Sequence, residues 1–80
     1  MTKGLRRITT RMIISALKRD GFYLHHKVGS HHTYRKTGTS YRVTISYHHS
    51  GDTLPPGTLL RIIKQAGWTE DDLKRLKLIK

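Results

Sequence analysis

Three short stretches with strand character lie between two stretches with helical periodicity, and this order restricts the chain to small mixed folds. The three stretches are residues 22–28, 31–36 and 41–47. Gly29-Ser30 joins the first two, and residues 37–40, Thr-Gly-Thr-Ser, join the second to the third. Because strands with such short connections pair in the antiparallel sense, the pattern predicts a three-stranded meander with helices on one face and solvent on the other.

Strict alternation in the first stretch predicts which of its side chains share a face of the sheet. One set is Phe22, Leu24, His26 and Val28, and the other is Tyr23, His25 and Lys27. Aromatic residues recur in all three stretches: Phe22, Tyr34, Tyr41 and Tyr47. They could stack on unpaired bases, but aromatic residues in short strands more often pack in the core or on the sheet, and we expect the packing role.

The first helix is predicted to begin at a threonine cap and to end before a glycine. Thr9 or Thr10 provides the cap, and Gly21 suits the left-handed position after the end near Arg19. The residues at helical spacing on its apolar side are Ile13, Ala16 and Leu17. They are expected to pack against the sheet.

The second helix is predicted to follow a loop over residues 48–57, with Thr58 as its N-cap and Gly67 as its end. Its apolar residues, at positions i, i+3, i+4 and i+7, are Leu59, Ile62, Ile63 and Ala66. This spacing is typical of an amphipathic helix.

A short third helix is predicted from Thr69, because Asp72 stands three residues later in a capping-box arrangement. Trp68 and Leu73 occupy the positions of a hydrophobic staple around that cap. The predicted class is therefore α+β, in the order α-β-β-β-α with a short extra C-terminal helix.

The length of 80 residues fits one domain, which we place over residues 1–80 with a core at about 9–76. There is no cysteine, which excludes disulfides and thiolate metal sites. The N-terminal apolar residues are interrupted by Arg11, Ser15 and Lys18, so we expect neither a signal peptide nor a membrane span. A cytoplasmic protein is expected.

The net charge of +11 is concentrated in the first part of the chain. The first 51 residues contain ten Lys and Arg residues against the single acid Asp20, which gives a net charge of +9. Such an excess is typical of a surface that binds phosphate groups, although a merely solvated basic face is the simpler alternative.

Six histidines occur in three adjacent pairs, His25-His26, His31-His32 and His48-His49, which raises the possibility of a metal site. Neighbouring side chains of a strand point to opposite faces, so each pair is expected to offer one ring to a given site. Residues 21–51 contain no Cys, Asp or Glu to complete a ligand set. We therefore expect no metal and no other cofactor.

His31 directly follows the Gly29-Ser30 turn, so its ring could stand on a rigid support with space for a phosphate in front of it. A neutral imidazole in that place could accept the proton of a ribose 2′-hydroxyl, while Lys27, Arg35 or Lys36 stabilises charge on the phosphate. The spacing alone favours the simpler alternative, an exposed histidine that only contacts phosphate or water.

Two ordered motifs resemble those of the HicA family. Residues 29–34, Gly-Ser-His-His-Thr-Tyr, match the family's G-S-H-x-x-[YF] motif, and residues 49–59, HSGDTLPPGTL, match its second signature. Residues 61–67, RIIKQAG, continue the match, and the resemblance spans about residues 13–73. Ser46 is a departure, because many members have proline just before the second motif.

The resemblance implies a fold like the double-stranded RNA-binding domain and the activity of a small ribonuclease that cleaves mRNA independently of the ribosome. It also implies that the protein is the toxin of a toxin–antitoxin pair and that a HicB antitoxin covers its active surface. The family's essential histidine follows Gly-Ser, so the catalytic role passes to His31 and not to His32. The residue His49 is expected to have a structural or RNA-contacting role.

The residues that we expect to contact RNA are Lys27, Gly29, Ser30, Arg35, Lys36, Arg42 and His49. The expected partners are an RNA substrate and a HicB-like antitoxin, with no membrane, and the free protein is expected to be a monomer. Two alternatives remain open: a non-catalytic RNA-binding module, and a basic subunit whose only ligand is an acidic protein.

Overall fold

A computed structural model describes residues 8–46 and 53–79, and it has the predicted order of elements. The elements are α1 (Thr10–Arg19), β1 (Phe22–Val28), β2 (His31–Lys36), β3 (Arg42–Ser46), α2 (Pro56–Ala66) and α3 (Glu70–Arg75). The three strands form one antiparallel sheet in the order β1-β2-β3. The α+β class with an extra C-terminal helix is confirmed.

Helix α1 begins and ends where the sequence predicts. The side chain of Thr9 accepts a hydrogen bond from the backbone N–H of Met12 at 3.2 Å, which satisfies one of the unpaired donors of the first turn. Gly21 follows the end of the helix with φ of +95°, a conformation that favours glycine. The buried side chains are those of the predicted apolar side, Ile13, Ala16 and Leu17, with Thr10.

Helix α2 begins three residues earlier than predicted, and the assignment of Thr58 as its N-cap was wrong. The helix starts at Pro56, and Pro55 occupies the N-cap position without a side-chain hydrogen bond. Proline at the first helical position has a suitable φ and no N–H that needs a partner, so no capping side chain is required there. The end at Gly67, with φ of 71°, is as predicted. The buried residues of the helix are also those predicted, Leu59, Ile62, Ile63 and Ala66.

The predicted alternation of β1 was wrong beyond its middle, because the strand contains a β-bulge. The register with β2 shifts between Leu24 and His26, so one extra residue is accommodated on β1. A shift of one residue moves all later side chains to the other face. Phe22 therefore lies on the helix side, whereas Val28 pairs with His31 on the opposite face and is 59% exposed.

Strand β3 begins at Arg42, one residue later than the predicted range of residues 41–47. Tyr41 precedes the strand, and its backbone N–H donates to the side chain of Thr39 at 3.2 Å. Tyr47 lies outside the described residues. Phe22 and Tyr34 are buried in the core, which confirms the packing role expected for these two aromatic residues.

The core lies between the helices and one face of the sheet. Its largest fully buried side chains are Ile8, Ile13, Leu17, Val43, Ile45, Leu59, Ile62, Leu73 and Leu76. Trp68 and Leu73, on either side of the Thr69 cap, are both buried, and the predicted capping box between Thr69 and Asp72 is present. Apolar burial of this kind is the main stabilising contribution in a domain without disulfides.

Helix α2 also covers part of the outer edge of β3. The backbone N–H of Thr44 donates to Gln65 Oε1 at 3.2 Å, and Arg61 Nη1 donates to the carbonyl oxygen of Thr44 at 3.1 Å. These side chains satisfy peptide groups that a neighbouring strand would otherwise pair with.

The carboxylate of Asp20 connects four parts of the fold. It follows α1 and accepts hydrogen bonds from Trp68 Nε1 at 2.8 Å, from Arg75 Nη2 at 2.8 Å and from Lys36 Nζ at 3.3 Å. Its side chain is only 8% exposed. Burial raises the pKa of Asp20, but the hydrogen bonds from Trp68, Arg75 and Lys36 outweigh burial and hold the pKa below its usual value.

We predict that Asp20→Asn lowers the free energy of unfolding at pH 7 by roughly 2–4 kcal/mol, because it removes a buried charge with three donors. The folded-state pKa is depressed, so the contribution of Asp20 is fully present above the unfolded pKa and is lost as pH falls through the folded pKa. Urea unfolding at pH 7 and pH 3 measures both effects. The control is Asp71→Asn, an exposed carboxylate in α3; equal losses in the two variants would contradict the role of Asp20.

Gly67 has a second constraint besides its left-handed backbone. A Cβ atom added there would lie 2.6 Å from Cζ of Tyr41, whose ring packs against this turn. Gly38 also has a positive φ, of 79°, but a Cβ atom there would meet nothing within 4 Å. Substitution of Gly38 therefore tests the cost of the left-handed backbone alone, whereas substitution of Gly67 adds the cost of the contact with Tyr41.

We predict that Gly38→Ala costs about 1 kcal/mol of stability, the approximate cost of a left-handed residue with a Cβ atom. Gly67→Ala is expected to cost at least about 2 kcal/mol, because overpacking against Tyr41 adds to the same backbone cost. Thermal and urea unfolding provide the measurement. In a Tyr41→Ala background the two glycine substitutions should have similar costs, and a persistent difference would exclude the contact with Tyr41 as its cause.

Candidate nucleic-acid interface

His31 is the first residue of β2 and follows a two-residue turn. Gly29 has φ of +57°, and Ser30 is not among the residues with positive φ, the pattern of a type II′ hairpin turn. The backbone of His31 is held on both sides, because it pairs with Val28 of β1 and with Ser46 of β3. Its side chain is exposed. The imidazole is thus presented to solvent from a residue in the middle strand of the sheet.

The side chain of His31 lies on the face of the sheet away from the helices, which we call the open face. Tyr34 of the same strand points into the core, so the odd-numbered residues of β2 share the open face. The register adds their partners on the neighbouring strands, because directly paired residues lie on the same side. The open face therefore carries Tyr23, His26, Val28, His31, Thr33, Arg35, Arg42, Thr44 and Ser46.

Arg35 and Arg42 lie directly opposite each other on this face. Paired residues of neighbouring strands have Cβ atoms only about 5 Å apart, and side chains of like charge directly opposite each other are unfavourable. Arg35 is four residues from His31, roughly 13 Å along the strand at about 3.3 Å per residue. The arginine pair is a place where a bound anion would relieve repulsion.

Two of the expected phosphate contacts, Lys27 and Lys36, lie on the other face from His31. Lys27 pairs with His32, and Lys36 pairs with Phe22. The ammonium group of Lys36 binds Asp20 at 3.3 Å and lies 5.7 Å from the centre of the Phe22 ring.

Of the other expected contacts, Arg35 and Arg42 share the face of His31, and Gly29 and Ser30 form the adjacent turn. His49 lies outside the described residues.

His32 has a different environment from His31. It lies on the helix side and is partly buried. Burial lowers the pKa of His32, and the nearby charge of Lys27 lowers it further. The two adjacent rings are therefore separated by the sheet, and only His31 belongs to the open face.

The bulge in β1 changes the arrangement expected for His25 and His26. His26 pairs with Thr33 on the open face. The ring of His25 makes an edge contact with the ring of Tyr23, which lies on the same face, and the two ring centres are 6.2 Å apart. The assumption that this pair must divide between the two faces was wrong, because the extra residue interrupts the alternation. Even so, no group of three or more potential ligands that could hold a metal occurs within residues 8–46 and 53–79.

None of the carboxylates in the described part of the chain lies on the open face. Asp20 faces Trp68 and Arg75, and the others, Glu70, Asp71 and Asp72, are in α3. The open face consequently has only neutral, imidazole and cationic groups in the described strands. Such a surface attracts polyanions.

Sequence reasoning identified Arg35 and Arg42 singly but missed their direct opposition. The turn from residue 37 to residue 41 sets this register, and its loop length was the available signal. The bulge had no comparable signal, because neither glycine nor proline marks it in β1.

Comparison with known families adds the decisive observation. The model of the family described as HicA toxin of bacterial toxin-antitoxin matches residues 10–68, which is well over half of the chain. This chain belongs to the HicA toxin family. Membership makes it the toxin component of a toxin–antitoxin system and implies an antitoxin partner. A search of curated proteins found no match.

The matched range includes the turn before His31 and all three strands, and it ends at Trp68. Helix α3 and the turn after it follow the matched range. Among the described helices of this HicA protein, none is long and apolar enough to cross a membrane.

We predict that Lys27→Gln raises the pKa of His32, because it removes the nearby positive charge that disfavours the imidazolium form. Burial remains, so the pKa should stay below the usual histidine value. The measurement is a titration of the histidine ring protons by NMR. Lys74→Gln, which removes a charge from α3, should leave His32 unchanged; an equal shift in that variant would contradict a local effect of Lys27.

Proposed function

We propose that this HicA toxin is a metal-independent endoribonuclease that cleaves mRNA without the ribosome and uses His31 as its acid–base group. The observation that supports this proposal is the exposed position of His31 beside the Gly29-Ser30 turn, on a face with two arginines and no described carboxylate. Histidine is the residue type best suited to exchange protons near neutral pH. A fixed backbone limits the positions its ring can take.

In the proposed reaction the neutral imidazole of His31 accepts the proton of a ribose 2′-hydroxyl. The 2′-oxygen attacks the adjacent phosphorus, so a bond from phosphorus to the 2′-oxygen forms and the bond from phosphorus to the 5′-oxygen breaks. The leaving 5′-oxygen takes up a proton from a second donor. General acid–base help of this kind contributes about 10²- to 10⁴-fold to the rate.

Arg35 and Arg42 hold the RNA backbone on the same face in this proposal. Their mutual repulsion decreases when a phosphate lies between them, and charge-assisted hydrogen bonds from guanidinium to phosphate are strong. Gly29 and Ser30 flank the reacting group and leave space, since a Cβ atom on Gly29 would meet nothing within 4 Å. Lys27 and the partly engaged Lys36 contribute to the general attraction of RNA from the other side of the sheet.

A HicB-like antitoxin neutralises the toxin in this proposal by covering the open face. The net charge of +9 in the first 51 residues favours an acidic partner surface there. RNA and antitoxin would then compete for the same residues, so the complex would be inactive without any change of the toxin's fold.

We predict that His31→Ala lowers RNA cleavage by at least about 10²-fold, because it removes the proton acceptor. Stability should change by no more than about 0.5 kcal/mol, since the side chain is exposed. His32→Ala is the matched control on the other face and should retain cleavage. Labelled RNA incubated with each purified variant in EDTA provides the measurement.

The same assay distinguishes the enzyme from a non-catalytic RNA-binding module. Retention of RNA without cleavage by the wild-type protein would favour the binding module. Cleavage that persists in His31→Ala would show that another group performs the chemistry, and loss of cleavage in EDTA would indicate a metal-dependent reaction.

A further inference from the structure

A groove of about 240 Å³ opens between α1 and the turn that follows α3. Its lining residues are Arg11, Met12, Ser15, Arg19, Lys77 and Leu78. Three of the six are cationic and none is acidic. The groove lies in the helical layer, so it is separated from His31 by the sheet.

Lys77 has an unusual backbone for its residue type. Its φ is 61°, and it is the one residue other than glycine with a positive φ in the described ranges. The backbone N–H of Lys77 donates to the Lys74 carbonyl oxygen at 3.0 Å, and that of Leu78 donates to the Leu73 carbonyl oxygen at 2.8 Å. These bonds form a Schellman motif, whose left-handed position strongly favours glycine. A lysine there is less favourable for folding than glycine, which makes its side chain a candidate for a role in binding.

The cations on α1 are held on a rigid element. Arg11, Ser15 and Arg19 are spaced four residues apart, which places them along one side of the helix. Arg19 Nη2 donates to the carbonyl oxygen of Leu76 at 2.8 Å, and this contact fixes the guanidinium beside the turn that carries Lys77. One N–H group suffices for that bond, and a guanidinium has five.

We propose that this groove binds a phosphate group of the RNA backbone, at a second site apart from His31. The proposal rests on the proposed function, because it assumes that RNA is the ligand of the protein. The groove is assembled from α1, inside the matched family range of residues 10–68, and from Lys77 and Leu78 outside it. Family membership by itself therefore does not assign the site.

The size and composition of the groove favour a phosphate over a protein surface. Its volume is below the roughly 300–1,000 Å³ of pockets for drug-sized ligands. A phosphate with part of its ribose is smaller than such a ligand and suits a groove of this size. The cations come from two different elements, and the hydroxyl of Ser15 adds a donor. Met12 and Leu78 provide an apolar wall for the sugar.

The first test compares two variants with the same net charge in a His31→Ala background, which prevents cleavage. Lys77→Gln removes a groove cation, and Lys74→Gln removes an exposed cation of α3 that does not line the groove. We expect Lys77→Gln to weaken binding of a labelled single-stranded RNA several-fold and to reduce the salt slope of binding by about one. Equal weakening by both variants would overturn the proposal.

The second test uses Lys77→Gly in the same background. Glycine relieves the left-handed strain, so the midpoint of urea unfolding should rise while RNA affinity falls. Opposite changes in stability and affinity are not expected from a purely structural lysine. A more stable variant with unchanged RNA affinity would overturn the proposal.

NMR titration identifies the ligand. The RNA oligonucleotide should shift the backbone amides of Arg11, Ser15, Lys77 and Leu78, and inorganic phosphate should shift the same amides at higher concentration. Shifts from RNA confined to the open face would overturn the proposal. Shifts of the groove amides by a polyglutamate peptide but not by RNA would also overturn it and would assign the groove to an acidic protein.

The outcomes separate this proposal from the enzymatic one. If the wild-type protein cleaves no RNA but Lys77→Gln still weakens RNA binding selectively, the groove stands and the ribonuclease proposal fails. If the wild-type protein cleaves RNA and Lys77→Gln behaves like Lys74→Gln, the ribonuclease proposal stands and the groove fails.

Discussion

The hydrogen bonds to the carboxylate of Asp20 are the interaction on which the arrangement of the helices and the sheet depends. It receives hydrogen bonds from β2, from the segment between α2 and α3, and from α3, and it directly follows α1. A charge with little exposure is tolerated in this position only because several donors surround it. One side chain thus joins the N-terminal helix to residues 48 and 55 positions later in the chain.

The same contact determines the electrostatics of the surface. Asp20 is the one acid in the first 51 residues, and its charge is directed toward the interior of the fold. The cations of the strands therefore have no carboxylate beside them on the open face. The carboxylate of Asp20 stabilises the fold through its bonds to Trp68, Arg75 and Lys36. It is therefore not placed where it could neutralise the cations of the open face, which keeps that face attractive to polyanions.

The sequence predicted those elements whose signals are local. Apolar spacing and terminal caps identified α1 and α3, and Gly67 identified the end of α2. The predicted start of α2 was wrong because the helix begins at Pro56, whose backbone geometry suits the first helical position without the capping side chain expected from Thr58. The bulge in β1 escaped prediction because pairing with β2, and not the residue types of β1, determines where an extra residue is accommodated.

The candidate site was predictable to a similar extent. His31 was identified from the turn before it and from the family motif, and its side chain is exposed. Which cations share its face could not be deduced, since that depends on registers across three strands. Lys27 and Lys36 are close to His31 in the sequence but lie on the other face, whereas Arg42 is further along the chain and lies on the same one.

The contact of Arg61 and Gln65 with Thr44 has a consequence for behaviour at high concentration. A sheet extends into a fibre only if strands can be added at both of its margins, and these two side chains occupy peptide groups at one margin. The irregular pairing within β1 makes the other margin a poor template. Both margins of the sheet are therefore unfavourable for the addition of a strand from another molecule.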